Sequence, residues 1–117
     1  MTAQRWLLDH LDKMGDDAAV FIAEDADGTP VGVATVERGK HFTGSPQGEL
    51  GELAVSEAAE GQGAASLLLA AAEAWARERG LPFVALGTGM ANTRARAFYA
   101  RRGYLEEDLR LAKPLNV

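Results

Sequence analysis

The 117-residue chain has no cysteine, which excludes a disulfide framework, a zinc–thiolate site and a thiol nucleophile, and fits a cytoplasmic protein. Long apolar runs are also missing. The longest, Ala64 to Ala72, is too short to span a bilayer and runs into charge. The opening residues, Met1 to Leu8, hold one arginine and no apolar stretch of signal-peptide type; no membrane partner is expected. Basic residues are the minority, 12 against 17 acidic, for a net charge of −5. Such a surface repels phosphate backbones, so no nucleic-acid partner is expected either. The two histidines, His10 and His41, lie far apart without ligand spacing, and no metal site is expected. With only 4 prolines, and no repeat, low-complexity tract or linker, the whole chain, 1–117, reads as one domain.

What is present is a composition ordinary for a globular protein, 47% hydrophobic and 25% charged. Thr2 can cap a first helix whose apolar residues are Trp6, Leu7, Leu11 and Met14. Val20 to Ala23 and Val31 to Val36 read as strands joined by Asp25-Ala26-Asp27-Gly28-Thr29-Pro30, a tight-turn signal for an antiparallel hairpin. A polar loop, Arg38 to Gly48, leads to a third strand from Glu49 to Val55. The clearest helix runs from Ala64 to Arg79, with Leu67, Leu68, Ala71, Ala72, Trp75 and Ala76 on one apolar face and Gly80 and Pro82 as its stop. Phe83 to Leu86 reads as a short buried strand, Thr93 to Arg102 as a second helix ended by Gly103, and Tyr104 to Ala112 as a last strand or hairpin. The order predicts a mixed sheet flanked by helices, in the α/β (α+β) class.

Between the third strand and the long helix lies Glu60-Gly61-Gln62-Gly63-Ala64-Ala65-Ser66. At a helix N-terminus, backbone N–H groups and the helix dipole converge, and glycines there let a ligand approach; a phosphate or pyrophosphate suits the arrangement. Two nucleotide readings fail on particular residues. A dinucleotide fingerprint needs Gly or Ala where Ser66 stands and an acid about 20 residues on, and Leu81 to Leu86 contains no acid. A P-loop needs Gly-Lys-Ser/Thr, which is absent.

Leu53-Ala54-Val55 followed by Glu60-Gly61-Gln62-Gly63-Ala64-Ala65 resembles the acyl-CoA pyrophosphate loop of the GNAT N-acetyltransferase superfamily, Arg/Gln-x-x-Gly-x-Gly/Ala after a Leu-x-Val strand end. Glu60 departs from that pattern. A second segment, Asn92-Thr93-Arg94-Ala95-Arg96-Ala97-Phe98-Tyr99 with Arg102-Gly103-Tyr104, is similar to the family's Asn-x-x-Ala-x-x-Phe-Tyr…Gly-Phe/Tyr. The resemblance covers about Val20 to Pro114 and implies a mostly antiparallel sheet splayed at the acetyl-CoA site.

It further implies direct acetyl transfer from acetyl-CoA, the co-substrate, to a small-molecule or peptide amine, with no metal. Tyr99 matches the position that protonates the CoA sulfur. Main chain around Leu53, Ala54 and Val55 matches the segment that pairs with the acetyl carbonyl and pantetheine arm, and Gln62, Gly63, Ala64, Ala65 and Ser66 match the pyrophosphate loop. Asn92 matches a contact to the CoA arm and also fits a helix N-cap. Glu49 and Glu52 are both candidates for the base; three apart on a regular strand they face opposite sides, so only one can serve. Arg94, Arg96, Arg101 and Arg102 suit either a 3′-phosphate contact or a solvated face.

Relative to the family, the usual first strand and first helix are missing ahead of the Trp6–Met14 segment. An unpaired strand edge there leads us to expect a homodimer. The competing functional readings are a non-catalytic acyl-CoA-binding module and an unrelated nucleotide-binding domain.

Overall fold

The computed structural model describes residues 7–11, 17–90 and 92–116, with the backbone alone for 7–11. The chain divides into two compact units, Met1–Leu86 and Gly87–Val117.

The first unit is a sheet with a helix on one face. Strands β1 (Leu7–Leu11), β2 (Ala18–Glu24), β3 (Pro30–Lys40), β4 (Pro46–Val55) and β5 (Val84–Ala85) lie side by side in chain order. The first four pair antiparallel and β5 joins β4 in parallel. The β2–β3 turn forms as its sequence predicts, with the Asp25 carboxylate accepting from the Asp27 and Thr29 N–H groups and Gly28 at positive φ.

Helix α1 (Ala64–Glu78) covers the sheet face that carries Gly32, Ala34 and Val36. Its buried residues are Ala64, Leu68, Leu69, Ala72, Trp75 and Ala76. The expected apolar face is therefore rotated slightly, with Leu69 inside and Leu67 and Ala71 half-buried. Arg79 closes the helix by lying 4.4 Å from the Trp75 ring centre and donating to the Trp75 carbonyl.

Four expectations need correction. Leu7–Leu11 is a strand, not part of a helix, because pairing with Val20–Glu24 satisfies its backbone and outweighs a short helical spacing. Thr2, Trp6 and Met14 lie outside the described residues. The loop placed at Arg38 to Gly48 is mostly ladder, since Arg38 to Lys40 and Pro46 to Gly48 pair with each other across a turn at 41–45. The strand expected at Phe83 to Leu86 shrinks to two residues with Phe83 half-exposed. In the second unit, α2 (Thr93–Arg101) forms as expected, but 104–116, the region of the expected last strand or hairpin, has no strand; a strand needs a hydrogen-bond partner that local sequence does not supply.

Leu68 is fully buried, and its Cδ1 packs against the backbone at Gly32. Leu68→Ala should lower the unfolding free energy by about 2–5 kcal/mol, read as a lower denaturation midpoint at unchanged slope. A midpoint equal to wild type would refute this account of the core.

Candidate functional site

β4 is the element on which the expected site residues of the first unit are arranged. On one side it pairs with β3 along its whole length. On the other, β5 pairs only with Gly48 and Glu49, the Gly48 N–H donating to the Phe83 carbonyl at 2.8 Å. Among the described residues, Leu50 to Val55 therefore have no partner strand on that side. The Ser56 N–H donates to the Val31 carbonyl at 2.7 Å, toward β3. Alternation along the strand then turns the N–H and C=O groups of Leu53 and Val55 to the open side. This is an edge that an extended ligand can join as a strand would. The side chains of Leu53 and Val55 share the α1 face of the sheet, as their pairing with Ala34 and Gly32 requires.

The end of β4 leads through a single 3-10 turn (Glu57–Ala59) to the glycine-rich segment. Gly61 and Gly63 take φ of 78° and 91°, and Gly63 is the N-cap of α1. An L side chain in that left-handed region costs about 1–2 kcal/mol, which is why glycine closes the turn. The N-cap residue Gly63 offers no side chain to cap α1, and the first helical hydrogen bond is Leu67 N–H to the Gly63 carbonyl. The N–H groups of Ala64 and Ala65 thus precede the ladder, at the positive end of the helix dipole. Ser66 follows on the same first turn, and Gln62 donates its side-chain amide back to the Ala58 carbonyl. That bond holds the turn's shape, and Glu60 at its start is exposed.

The two candidate carboxylates do not oppose each other across the strand. Thr35 pairs with Glu52 but Val36 pairs with Leu50, so Gly51 is an extra residue in β4. Glu49 consequently sits opposite Glu37 and Glu52 opposite Thr35. Thr35 and Glu37 share a face of β3, so Glu49 and Glu52 share it too, away from α1. The expectation that they face opposite sides fails because it assumed a regular strand. A glycine inside a strand pattern was the available signal of the bulge. Glu49 is half-buried and accepts from the Gln47 side-chain amide at 3.4 Å, whereas Glu52 is exposed. Gln47 is a buried polar side chain in the stretch read as loop, so nothing in the sequence marked it.

In the second unit, Asn92 caps α2, its side-chain oxygen accepting from the Ala95 N–H at 3.1 Å. Tyr99 lies on α2 in edge-on contact with Phe98 and Tyr104, at 5.2 and 5.6 Å between ring centres. Burial raises the Tyr99 phenol above its ordinary value, because the phenolate would lose hydration there. The arginines of this unit are partly engaged locally: Arg96 pairs with Glu106, and Arg102 lies 3.7 Å over the Phe98 ring. His41, in the β3–β4 turn of the first unit, binds the Thr43 hydroxyl through Nδ1. His10 lies on β1. No group of three or more metal-ligating side chains occurs among the described residues, nor is any helix there long and apolar enough to cross a membrane.

The acetyltransferase (GNAT) family model matches residues 2–104. Solved structures similar to the chain include a Pyrococcus furiosus protein described as an acetyl transferase, 27% identical at a TM-score of 0.80. That match covers 85% of this chain and 66% of the other, so the chain spans slightly under two thirds of that relative's length. AAC(6')-Iy in complex with a CoA-containing bisubstrate analogue is 25% identical at a TM-score of 0.77, covering 88% of this chain and 72% of that one. In a CoA complex, the aminoglycoside N-acetyltransferase AAC(6')-Iy aligns over 99% of this chain and 98% of its own, at 18% identity and a TM-score of 0.84, a likeness of fold. No curated protein matches.

Tyr99 should ionise above the ordinary tyrosine value of about 10. Its stabilising effect is complete below the unfolded-state value and is lost as pH rises through the higher folded-state value. The ultraviolet phenolate titration of wild type minus Tyr99→Phe should show this component; a difference titrating at or below the ordinary value would refute it.

Proposed function

Because the chain belongs to the acetyltransferase (GNAT) family, we propose that it transfers an acetyl group from acetyl-CoA to a primary amine by direct attack in a ternary complex. The observation that carries the reading is the open edge of β4 leading within a few residues to the glycine turn of α1. An extended pantetheine arm suits the first and a pyrophosphate the second. Main chain of Leu53, Ala54 and Val55 would take the arm. N–H groups of Gly63, Ala64 and Ala65, with Gln62 and Ser66 beside them, would take the phosphates.

The chemistry requires three proton and charge adjustments. The ammonium of the acceptor gives up a proton to Glu49, to Glu52 or to water held by either, which the shared face of the two carboxylates permits. The free amine attacks the thioester carbonyl, and the developing oxyanion is met by backbone N–H at the open edge. Collapse of the intermediate breaks the C–S bond, Tyr99 donates its proton to the departing thiolate, and the second proton that the nitrogen sheds in becoming an amide returns to the tyrosinate through water. Burial keeps the Tyr99 phenol protonated to higher pH, so the proton is present to be given. The products are an amide and CoA thiol. Asn92 would contact the CoA arm while capping α2. Glu37, Glu49 and Glu52 on one sheet face favour a cationic acceptor.

Calorimetry should show binding of acetyl-CoA and CoA but not ATP. Transfer can then be followed as released CoA thiol, against no background because the protein has no cysteine, with a polyamine, an aminoglycoside, an amino acid and a peptide with a free N-terminus as acceptors. At least one amine should give saturable release, and Glu49→Gln and Tyr99→Phe should each lower kcat by about 10²-fold or more. Binding of acetyl-CoA without release for any amine would instead support an acyl-CoA-binding module, the reading that Glu60 in place of Arg or Gln favours.

The same proposal includes a homodimer, supported by β1 and β5 as the two edge strands of the sheet among the described residues, and a cytoplasmic setting, which the absence of cysteine fits. Light scattering should return twice the 12.4 kDa chain mass; a monomer at assay concentration would refute the dimer.

A further inference from the structure

We propose that Gly39 and Gln47 are positioning residues for Glu49, the first making room for its carboxylate and the second holding it. This rests on the assignment of Glu49 as the base. Directly opposite Glu49 stands Glu37, a like charge across the ladder that the carboxylate should avoid. Glu49 instead reaches diagonally along β3 and lies over Gly39. A methyl group at Gly39 would overlap the carboxylate and come within 2.7 Å of Cγ. Gly39 is not among the glycines with positive φ, so its backbone does not demand glycine. What the missing side chain provides there is the space that Glu49 fills.

Gln47 pairs with Gly39 across the ladder and is 6% exposed. Its Nε2 donates to Glu49 Oε1, while its own Oε1 is buried with no partner among the described residues. A buried amide oxygen without a partner is costly beside an apolar residue of similar size. A purely structural role would be better served by leucine. The amide's gain is its bond to the carboxylate. The Gln47 amide binds Glu49 at Oε1, the atom nearest to where a side chain at Gly39 would stand, and with that oxygen held, Oε2 is the one that accepts the proton of the acceptor ammonium.

Gly39→Ala tests this with little risk to folding, because what must move is the far end of a flexible side chain rather than backbone. With the amine identified by thiol release, kcat should fall on the order of 10²-fold, as for a misplaced catalytic group. The calorimetric affinity for acetyl-CoA and the thermal midpoint should stay at wild-type values. Gln47→Leu should lower kcat in the same way. Adding Gly39→Ala to Glu49→Gln should lower it no further, since the seat then has nothing to position. The Gln47 side-chain amide resonances, assigned by their loss in Gln47→Leu, should shift in both Gly39→Ala and Glu49→Gln.

Full kcat in Gly39→Ala, or unmoved Gln47 resonances, would overturn the positioning role in an active enzyme. The two failures are distinguishable. If wild type binds acetyl-CoA yet acetylates no amine, or if Glu49→Gln keeps full activity, the base assignment falls and the positioning role falls with it.

Discussion

The pairing of β3 with β4, and the one residue of β4, Gly51, that has no counterpart in that ladder, governs the rest of the first unit. Ten residues of β4 run against β3, and a regular ladder of that length would send alternate side chains to alternate faces without exception. Gly51 interrupts the alternation. Before it, Leu50 points into the α1 interface and Glu49 away from it; after it, Leu53 and Val55 resume the α1 face, with Glu52 and Ala54 on the other. The bulge thereby keeps apolar residues in the core on both sides of the irregularity. It also gathers both carboxylates on one surface. The stability of the sheet and the chemistry of its face are set by the same displaced residue.

The second consequence of this ladder is an unfinished edge. β5 meets β4 for two residues and stops, so the backbone of Leu53 and Val55 carries hydrogen-bonding capacity that the sheet does not use. An open edge is a hazard in most proteins. Here it leads, through a short turn, to a helix whose first N–H groups precede its own hydrogen-bond ladder and whose cap is a glycine in the left-handed region. Both features ask for the same kind of partner, extended and polar in one part and anionic in the other. That pairing of demands is more selective than either feature alone, since glycine-rich helix starts are common and open edges are not rare.

The long helix, the β2–β3 hairpin, the glycine turn and the second helix were all legible in the residues. Each is dictated locally, by apolar spacing at 3.6 residues, by turn chemistry in Asp25 to Pro30, or by glycine where φ must be positive. The family resemblance was equally legible, because its motifs sit where backbone geometry tolerates few residue types. Misreadings occurred where the deciding partner lies far away in sequence. Leu7–Leu11 carries a spacing that suits a helix, and only β2 makes it a strand. Arg38 to Lys40 and Pro46 to Gly48 look like loop, and only each other's backbone makes them ladder. Tyr104 to Ala112 reads as a last strand or hairpin and finds no pairing partner in the described structure.

The same division holds for the site. The sequence by itself determined which chemical groups are available: carboxylates at 49 and 52, a phenol at 99, a capping amide at 92 and a flexible glycine turn at 61–63. Tertiary structure alone decided how the two carboxylates are disposed, that Gln47 is buried against one of them, and that Gly39 is vacant for its side chain. These are consequences of register, and register belongs to a pair of strands rather than to either one. A single inserted residue reverses every facing relation beyond it, and no property of β4 read in isolation reports which residue of β3 it will meet.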